Sequence, residues 1–383
     1  MRQCRRLLLA PLALTLILAG ATARPASLAA VEIPARLSDQ EFWKLSEDLS
    51  EPDGTFRSEN LLSNEMVFAH MLPQVMAHTK PGGVYLGVGP EQNFTYLVAM
   101  RPRIAFITDV RRGNLHVMLM YKALFELSAD RAEFVSRLFT KPRPAGLSAT
   151  STSRELMDAF WDAKTGDEAA YTANLSAIHR HLTKTRTIPL PAADLDGIAR
   201  AYRAFYFYGP AMNYSATTSL ATVNSGRAAT YWDLMTQTDA NGQGLTYLAT
   251  EEKFRFIKDM YNKNLIVPLV GNFSGPKTIR AIGDYVRKAG ATVTAFYVSS
   301  VEPYLRRDGL LPTFCASVAS LPLDDASVFI RTGNAQNLQL SRLDTSGRPT
   351  TPILPPPPPP PAVLPQVGTY QIGVVVPMKG GCG

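Results

Sequence analysis

Two glycines, a proline and three polar side chains crowd into Gly87-Val88-Gly89-Pro90-Glu91-Gln92-Asn93, and an acid, Asp109, follows twenty residues past Gly89. Glycines at that spacing allow a tight turn and a close approach of backbone to ligand. A carboxylate about 20 residues further on is where a dinucleotide-binding unit holds ribose hydroxyls. The third glycine of that fingerprint is absent, because Gln92 stands in its position. Glu91 also adds negative charge at a helix start, which disfavours a phosphate there. A cofactor without phosphate and with a sulfonium charge fits better, so S-adenosylmethionine is expected before NAD. Neither a GxSxG elbow nor a P-loop is present to supply other chemistry. No CxxC or HxxxH spacing occurs, and His70, His78 and His116 are isolated, so no metal is expected. Tyr202, Tyr206, Tyr208 and Tyr214 either line an aromatic pocket or pack with wet hydroxyls.

These residues need strands and helices to position them. Val84–Val88 has the length and apolar content of a buried parallel strand, and Arg103–Asp109 reads as a second strand ending in the acid. Ser38-Asp39-Gln40-Glu41 is a capping box for a helix to about Leu49. Ser63 is read as the cap of a helix to about Thr79, kinked near Pro73, with Asn64 and Glu65 in its first turn. Ser128 is read as the cap of a later helix. Residues 140–245 read as a largely helical insertion, after which the alternation resumes. Leu265–Val270, Thr292–Val298 and Ser327–Ile330 read as strands and Thr278–Ala289 as a helix. Alternating strands and helices imply a doubly wound α/β fold with a mainly parallel, Rossmann-like sheet over about residues 35–332. The loops Gly87–Asn93, Asp109–Asn114, Gly271–Lys277 and Ser299–Glu302 then share the carboxyl edge of one sheet, where such folds bind ligands. A carboxylate facing a solvated cleft there buries little, so Asp109→Asn is expected to spare stability. The alternative is a brace to Arg111 or Arg112.

The chain has 383 residues, 46% of them hydrophobic, enough for a sizeable core. Arg2, Arg5 and Arg6 precede an apolar run from Leu7 to Ala19, and Ala21-Thr22-Ala23 offers a small-residue cleavage site. That is the layout of a signal peptide over residues 1–23, which implies an exported, periplasmic protein with no stable membrane span after cleavage. Cleavage removes three positive charges and takes the formal +7 to +4, too mild to argue for nucleic acid. The mature chain keeps Cys315 and Cys382, which allow one bridge but no disulfide framework. Pro355–Pro361 reads as a stiff polyproline spacer within a linker and irregular tail over 333–383.

Five segments together carry a resemblance: Ser58-Glu59-Asn60-Leu61-Leu62-Ser63-Asn64-Glu65, Gly87-Val88-Gly89-Pro90-Glu91-Gln92-Asn93-Phe94, Asp109-Val110-Arg111-Arg112-Gly113-Asn114, Val270-Gly271-Asn272-Phe273-Ser274-Gly275-Pro276-Lys277 and Phe296-Tyr297-Val298-Ser299-Ser300-Val301-Glu302. Over roughly residues 38–332 the chain resembles an uncharacterised bacterial family with a Rossmann fold similar to class I methyltransferases. The resemblance implies a cofactor loop at Gly87 and Gly89 and a ribose acid at Asp109; on the cofactor-binding expectation, Glu91 or Glu65 meets the cofactor's positive end. The full candidate set is Gly87, Gly89, Glu91, Asn93, Asp109, Arg111, Asn114, Asn64, Glu65 and Asn272. Two expectations stand side by side. One is a protein binding a small nucleoside-type cofactor, with methyl transfer as its leading reaction. The other is a non-catalytic envelope protein whose cofactor site is vestigial.

Overall fold

The computed structural model describes residues 32–56, 58–63, 65–66, 68–214, 229–332, 341–343, 349–352 and 370–377. The leader at 1–23, Asn64, the proline run 355–361 and Cys382 lie outside the described residues. In chain order the elements are α1 (Asp39–Leu49), β1 (Glu65–Met66), α2 (Phe68–His78), β2 (Val84–Val88), α3 (Gln92–Met100), β3 (Ile104–Asp109), α4 (Arg112–Leu127) and α5 (Arg131–Phe139). Next come α6 (Ser153–Asp162), α7 (Glu168–Arg180), α8 (Ala192–Tyr208), α9 (Tyr231–Met235) and α10 (Glu251–Asn262). The last are β4 (Ile266–Val270), α11 (Thr278–Lys288), β5 (Val293–Ser299), α12 (Val301–Arg307), α13 (Leu311–Val318), β6 (Val328–Thr332), β7 (Ser341–Leu343), β8 (Pro349–Pro352) and β9 (Tyr370–Pro377).

Five strands pair in parallel in the order β6-β5-β2-β3-β4. Their residues are apolar almost throughout because both faces are covered by helices. The register sets Val84 beside Ile104 and Val88 beside Thr108, so β2 and β3 end level with each other. The chain order reverses between β2 and β5. In an open α/β sheet that reversal opens a crevice beyond the strand carboxyl ends. The loops bearing Gly87–Asn93, Asp109–Asn114 and Asn272 therefore share one edge of one sheet, as in a Rossmann-like doubly wound fold.

Helix α4 follows β3 and is buried nearly all round, because α8 of the 140–245 region lies across its outer side. Gly197 of α8 permits that approach: a Cβ there would come within 2.1 Å of His116 Nδ1. His116 Nε2 pairs with Asp194 at 2.8 Å, and Arg112 holds both oxygens of the same carboxylate at 2.6 Å. Behind α4, Phe94 meets Tyr121, Phe125 and Tyr247 edge-to-face at 5.2–5.4 Å. Such ring pairs add about 0.5–1.5 kcal/mol each beyond their buried area.

Three local expectations differ from the structure. Ser63 starts no helix; Glu65 lies in β1, and α2 begins at Phe68. Asp130, not Ser128, caps α5 by accepting from Glu133 N, while the Ser128 hydroxyl donates back to Leu124 O. Part of the tail expected to be irregular is a strand: β9 pairs antiparallel with β6, Val328 opposite Pro377 and Ile330 opposite Val375. β1 adds at the far side of β9, and β7 and β8 pair with each other.

Candidate functional site

At the end of β2 the chain turns through Gly89 at φ +74°, the left-handed region that glycine adopts without strain. Asn93 in the first turn of α3 folds back into this turn. Its Nδ2 donates to the carbonyls of Val88, Gly89 and Pro90 at 2.7–3.1 Å, and its Oδ1 accepts from Tyr85 OH at 2.8 Å. A Cβ on Gly87 would stand 1.9 Å from that Oδ1. The glycine thus makes room for Asn93, which occupies the space left for a ligand in the sequence reading.

Glu91 is fully buried, and its two oxygens accept from Ser63 N at 3.3 Å, with its own backbone N–H also facing the carboxylate. Burial pushes its carboxyl up to about 8, with the neighbouring acid Glu65 raising it further. Glu91 is therefore mostly protonated at neutral pH, and the charge expected at this helix start is absent. Glu65 has richer company. It accepts from Tyr297 OH at 2.5 Å, from Gln92 Nε2 at 3.0 Å, and from the Ser299 hydroxyl. Burial raises the Tyr297 phenol well above its ordinary value, so it stays a neutral donor. Ser299, the last residue of β5, holds φ +48°, a left-handed backbone that a serine adopts at some strain. Ser63 completes the cluster by donating its hydroxyl to Gln92 Oε1. Residues from β1, the β2 turn and β5 so meet at the switch point.

Asp109 at the end of β3 is 5% exposed. Its Oδ1 accepts from Arg111 N and Nε at 3.0 and 3.1 Å, and its Oδ2 from the same guanidinium at 3.1 Å. Arg111, equally buried, also donates to the carbonyl oxygens of Ser58 and Glu59. The carboxylate expected to face a solvated cleft is instead a covered brace. Asn114, one turn into α4, is 1% exposed, and neither side-chain amide atom has a hydrogen-bond partner among the described residues. Asn272 lies apart, in the loop after β4, where its side chain accepts from Ser274.

Sequence reasoning passed over Glu51 and Asp53, which lie in the segment leading to the candidate Glu65. Glu51 N donates to Val270 O at the end of β4, and Gly54 N donates to Val110 O after β3. The Glu51 carboxylate accepts from the backbone of Asn272, Lys277 and Thr278 at 2.8–3.0 Å. A Cβ on Gly275 would lie 2.3 Å from it, so the second glycine loop is shaped around this acid. Asp53 accepts from Arg112 N at 2.6 Å. The segment thus lies at the ends of β4 and β3 and reaches the β2 turn and β5 through Ser63 and Glu65. Its signal in the sequence was turn chemistry at Glu51-Pro52-Asp53-Gly54, which carries no hint of what lies beneath.

Fold and site define an α/β protein with a parallel, Rossmann-like sheet whose polar strand-end loops are covered by a segment of the same chain. The family model described as "Domain of unknown function (DUF7790)" matches residues 61–189 and 199–350, and the chain belongs to that family. The matched blocks contain the β2 turn, Asp109–Asn114, the second glycine loop and Tyr297–Glu302, whereas residues 50–60 precede them. A search of curated proteins returns no match. Among the described residues no helix is long and apolar enough to cross a membrane.

Proposed function

We propose that this chain is an exported α/β protein that binds a nucleoside-type cofactor at the β2–β5 switch point, S-adenosylmethionine before NAD. The observation that carries this reading is the convergence of Glu65, Gln92, Tyr297 and Ser299 at that point, with Asp109 on the neighbouring strand. An acid buried beside the turn repels a diphosphate and attracts a sulfonium, and Glu65 is the acid suited to that task. Methyl transfer is the leading reaction of this reading. Calorimetry and thermal shift with S-adenosylmethionine and S-adenosylhomocysteine at millimolar concentration test it. Binding heat and a raised melting temperature are expected; neither effect with either compound removes the reading.

A second reading is supported by one specific observation: Asn93, Arg111 and Glu51 spend their side chains on the chain's own strand-end loops and acid. On it the protein is a non-catalytic envelope protein that kept the fold and packed its own site. The same calorimetry separates the two.

Export rests on the leader at residues 1–23 and is supported by Cys315, which is disulfide-bonded, a state that persists in oxidising compartments. Cleavage after Ala23 removes Cys4 and leaves Cys382 as the remaining partner. Mass spectrometry of the unreduced protein is expected to find a chain starting at Arg24 and a peptide joining Cys315 to Cys382. A chain starting at Met1 in the cytosolic fraction overturns export.

A further inference from the structure

The segment over the strand ends is tied down by a particular kind of contact. Among the described residues from Glu51 to Asn60 the ties are carboxylates, one guanidinium, backbone groups and the Ser58 hydroxyl, which meets the Tyr214 hydroxyl at 2.6 Å, and Phe56 lies edge-on to Tyr304 at 5.3 Å. Pro52, Asp53, Thr55 and Glu59 are exposed. Leu61 and Leu62, just beyond, are buried in the core, and at the other end the Ser50 hydroxyl donates to Ser46 O inside α1. Polar, partly wet ties between two fixed ends describe a segment of low local stability on a stable body. Asn60, where the free part meets the fixed part, takes a left-handed backbone at φ +48°.

Arg111 couples this segment to the acid of the site. One guanidinium nitrogen holds the carbonyls of Ser58 and Glu59 while the remaining donors hold Asp109. With Ser58 and Glu59 gone, half of what keeps Arg111 folded over Asp109 is gone too. Beside it, a Cβ on Gly113 would be 3.9 Å from the Glu59 carboxylate, so the segment also lies against the start of α4, next to Asn114. Asn114 is the group the covered form leaves unsatisfied among the described residues. A buried amide without partners is unfavourable, and a ligand that supplies a donor and an acceptor relieves it.

We propose that the described residues 51–56 and 58–60 belong to a releasable strap, that Arg111 is its latch, and that release uncovers Asp109 and Asn114 together. Resting on the nucleoside reading above, this gives each a partner: ribose hydroxyls for Asp109, and for Asn114 a base edge carrying both donor and acceptor. An asparagine amide matches the adjacent donor and acceptor of adenine in this way. The strap precedes the family-matched residues 61–189 and 199–350.

The experiment uses the full chain with Glu51→Ala and Asp53→Ala combined, which cuts the ties to the second glycine loop and to α4. Amide exchange is read at Gly54 and at residue 51, whose acceptors Val110 O and Val270 O the substitutions leave in place, and phenylglyoxal modification is read at Arg111. Exchange at these amides is expected to speed by about tenfold or more while the sheet amides stay protected, since local opening is independent of global unfolding. Arg111, covered in the native chain, is expected to modify faster. S-adenosylhomocysteine is expected to bind about tenfold tighter if the open form is about a tenth of the native population. Asn114→Leu added to the same background is expected to abolish that gain. Unchanged exchange and unchanged Arg111 reactivity overturn the strap, as does faster exchange throughout the sheet, which makes the segment part of the core. Local opening without binding of S-adenosylhomocysteine leaves the strap standing and removes the nucleoside reading.

Discussion

Replacing Glu91 with Gln is expected to make the protein more stable at pH 8 and to flatten its stability between about pH 5 and pH 8. The native carboxyl titrates at about 8 because burial disfavours its charge, against a free value of 4.5. The native state therefore holds a proton across this window that the unfolded chain has released. Stability from this group is fully present below the unfolded value and is lost as pH rises towards the folded one. At about 1.36 kcal/mol per pKa unit the loss has a ceiling on the order of 4–5 kcal/mol. Gln keeps the shape and the acceptor for Ser63 N without the titration. Its amide has the Tyr121 hydroxyl within the same buried cluster, a hydroxyl with no partner among the described residues. Lys122 works in the opposite sense in a higher window. Burial lowers it to about 8, so its penalty is relieved as pH climbs above that value, and measurements kept below pH 8 exclude most of it. Chemical denaturation of both proteins at pH 5, 6, 7 and 8 is the measurement. Parallel pH profiles for the two would mean that Glu91 is charged in the native state.

Asp109→Asn is expected to lower stability by about 2–3 kcal/mol, the scale of hydrogen bonds to a charged group with little solvent around it. The side chain accepts three bonds from Arg111, and both residues are more than nine-tenths buried. Asn keeps an acceptor for the Arg111 backbone but turns an amide donor towards the guanidinium. Arg111→Met is expected to lose at least as much, because it strands a buried carboxylate. The two changes together are expected to fall well short of the sum of the single losses, as residues in direct contact do in a double-mutant cycle. Thermal unfolding of the three variants checks this. Asp109→Asn with wild-type stability would return the acid to a solvated cleft.

The parallel sheet was legible in the sequence because its strands are short, apolar and bounded by glycine and polar turns, as in Val84–Val88 and Ile266–Val270. The α1 start was legible because its capping box is local: Ser38 and Glu41 satisfy each other within one turn. The meeting of strand-end loops followed from topology alone. What each loop does there did not follow, because the deciding contacts are long-range. Gly87 looked like a place for ligand backbone, and the reason for it is an asparagine six residues later. Asp109 read as a ribose acid, yet its brace depends on carbonyls more than fifty residues upstream that orient Arg111. Ser63 and Glu65 have helix-start chemistry, but Glu65 is drawn to Tyr297, over two hundred residues away. β9 was hidden for another reason: an extended proline run before it reads as the end of the domain.

The position of β9 has a kinetic consequence. β6 cannot pair along its outer edge until Tyr370–Pro377 has been made, and β1, from the first fifth of the chain, adds only beyond β9. The β1–β9 pairing, Glu65 beside Tyr370, spans the largest sequence separation in the sheet, and contacts of that kind form slowly because the intervening loop must be closed first. During synthesis the β6 edge stands open, a template for wrong pairing with another chain. One vulnerable interval of the nascent chain therefore runs between the emergence of Val328–Thr332 and the arrival of Tyr370–Pro377. A chaperone that shields a single sheet edge would be most useful to it then.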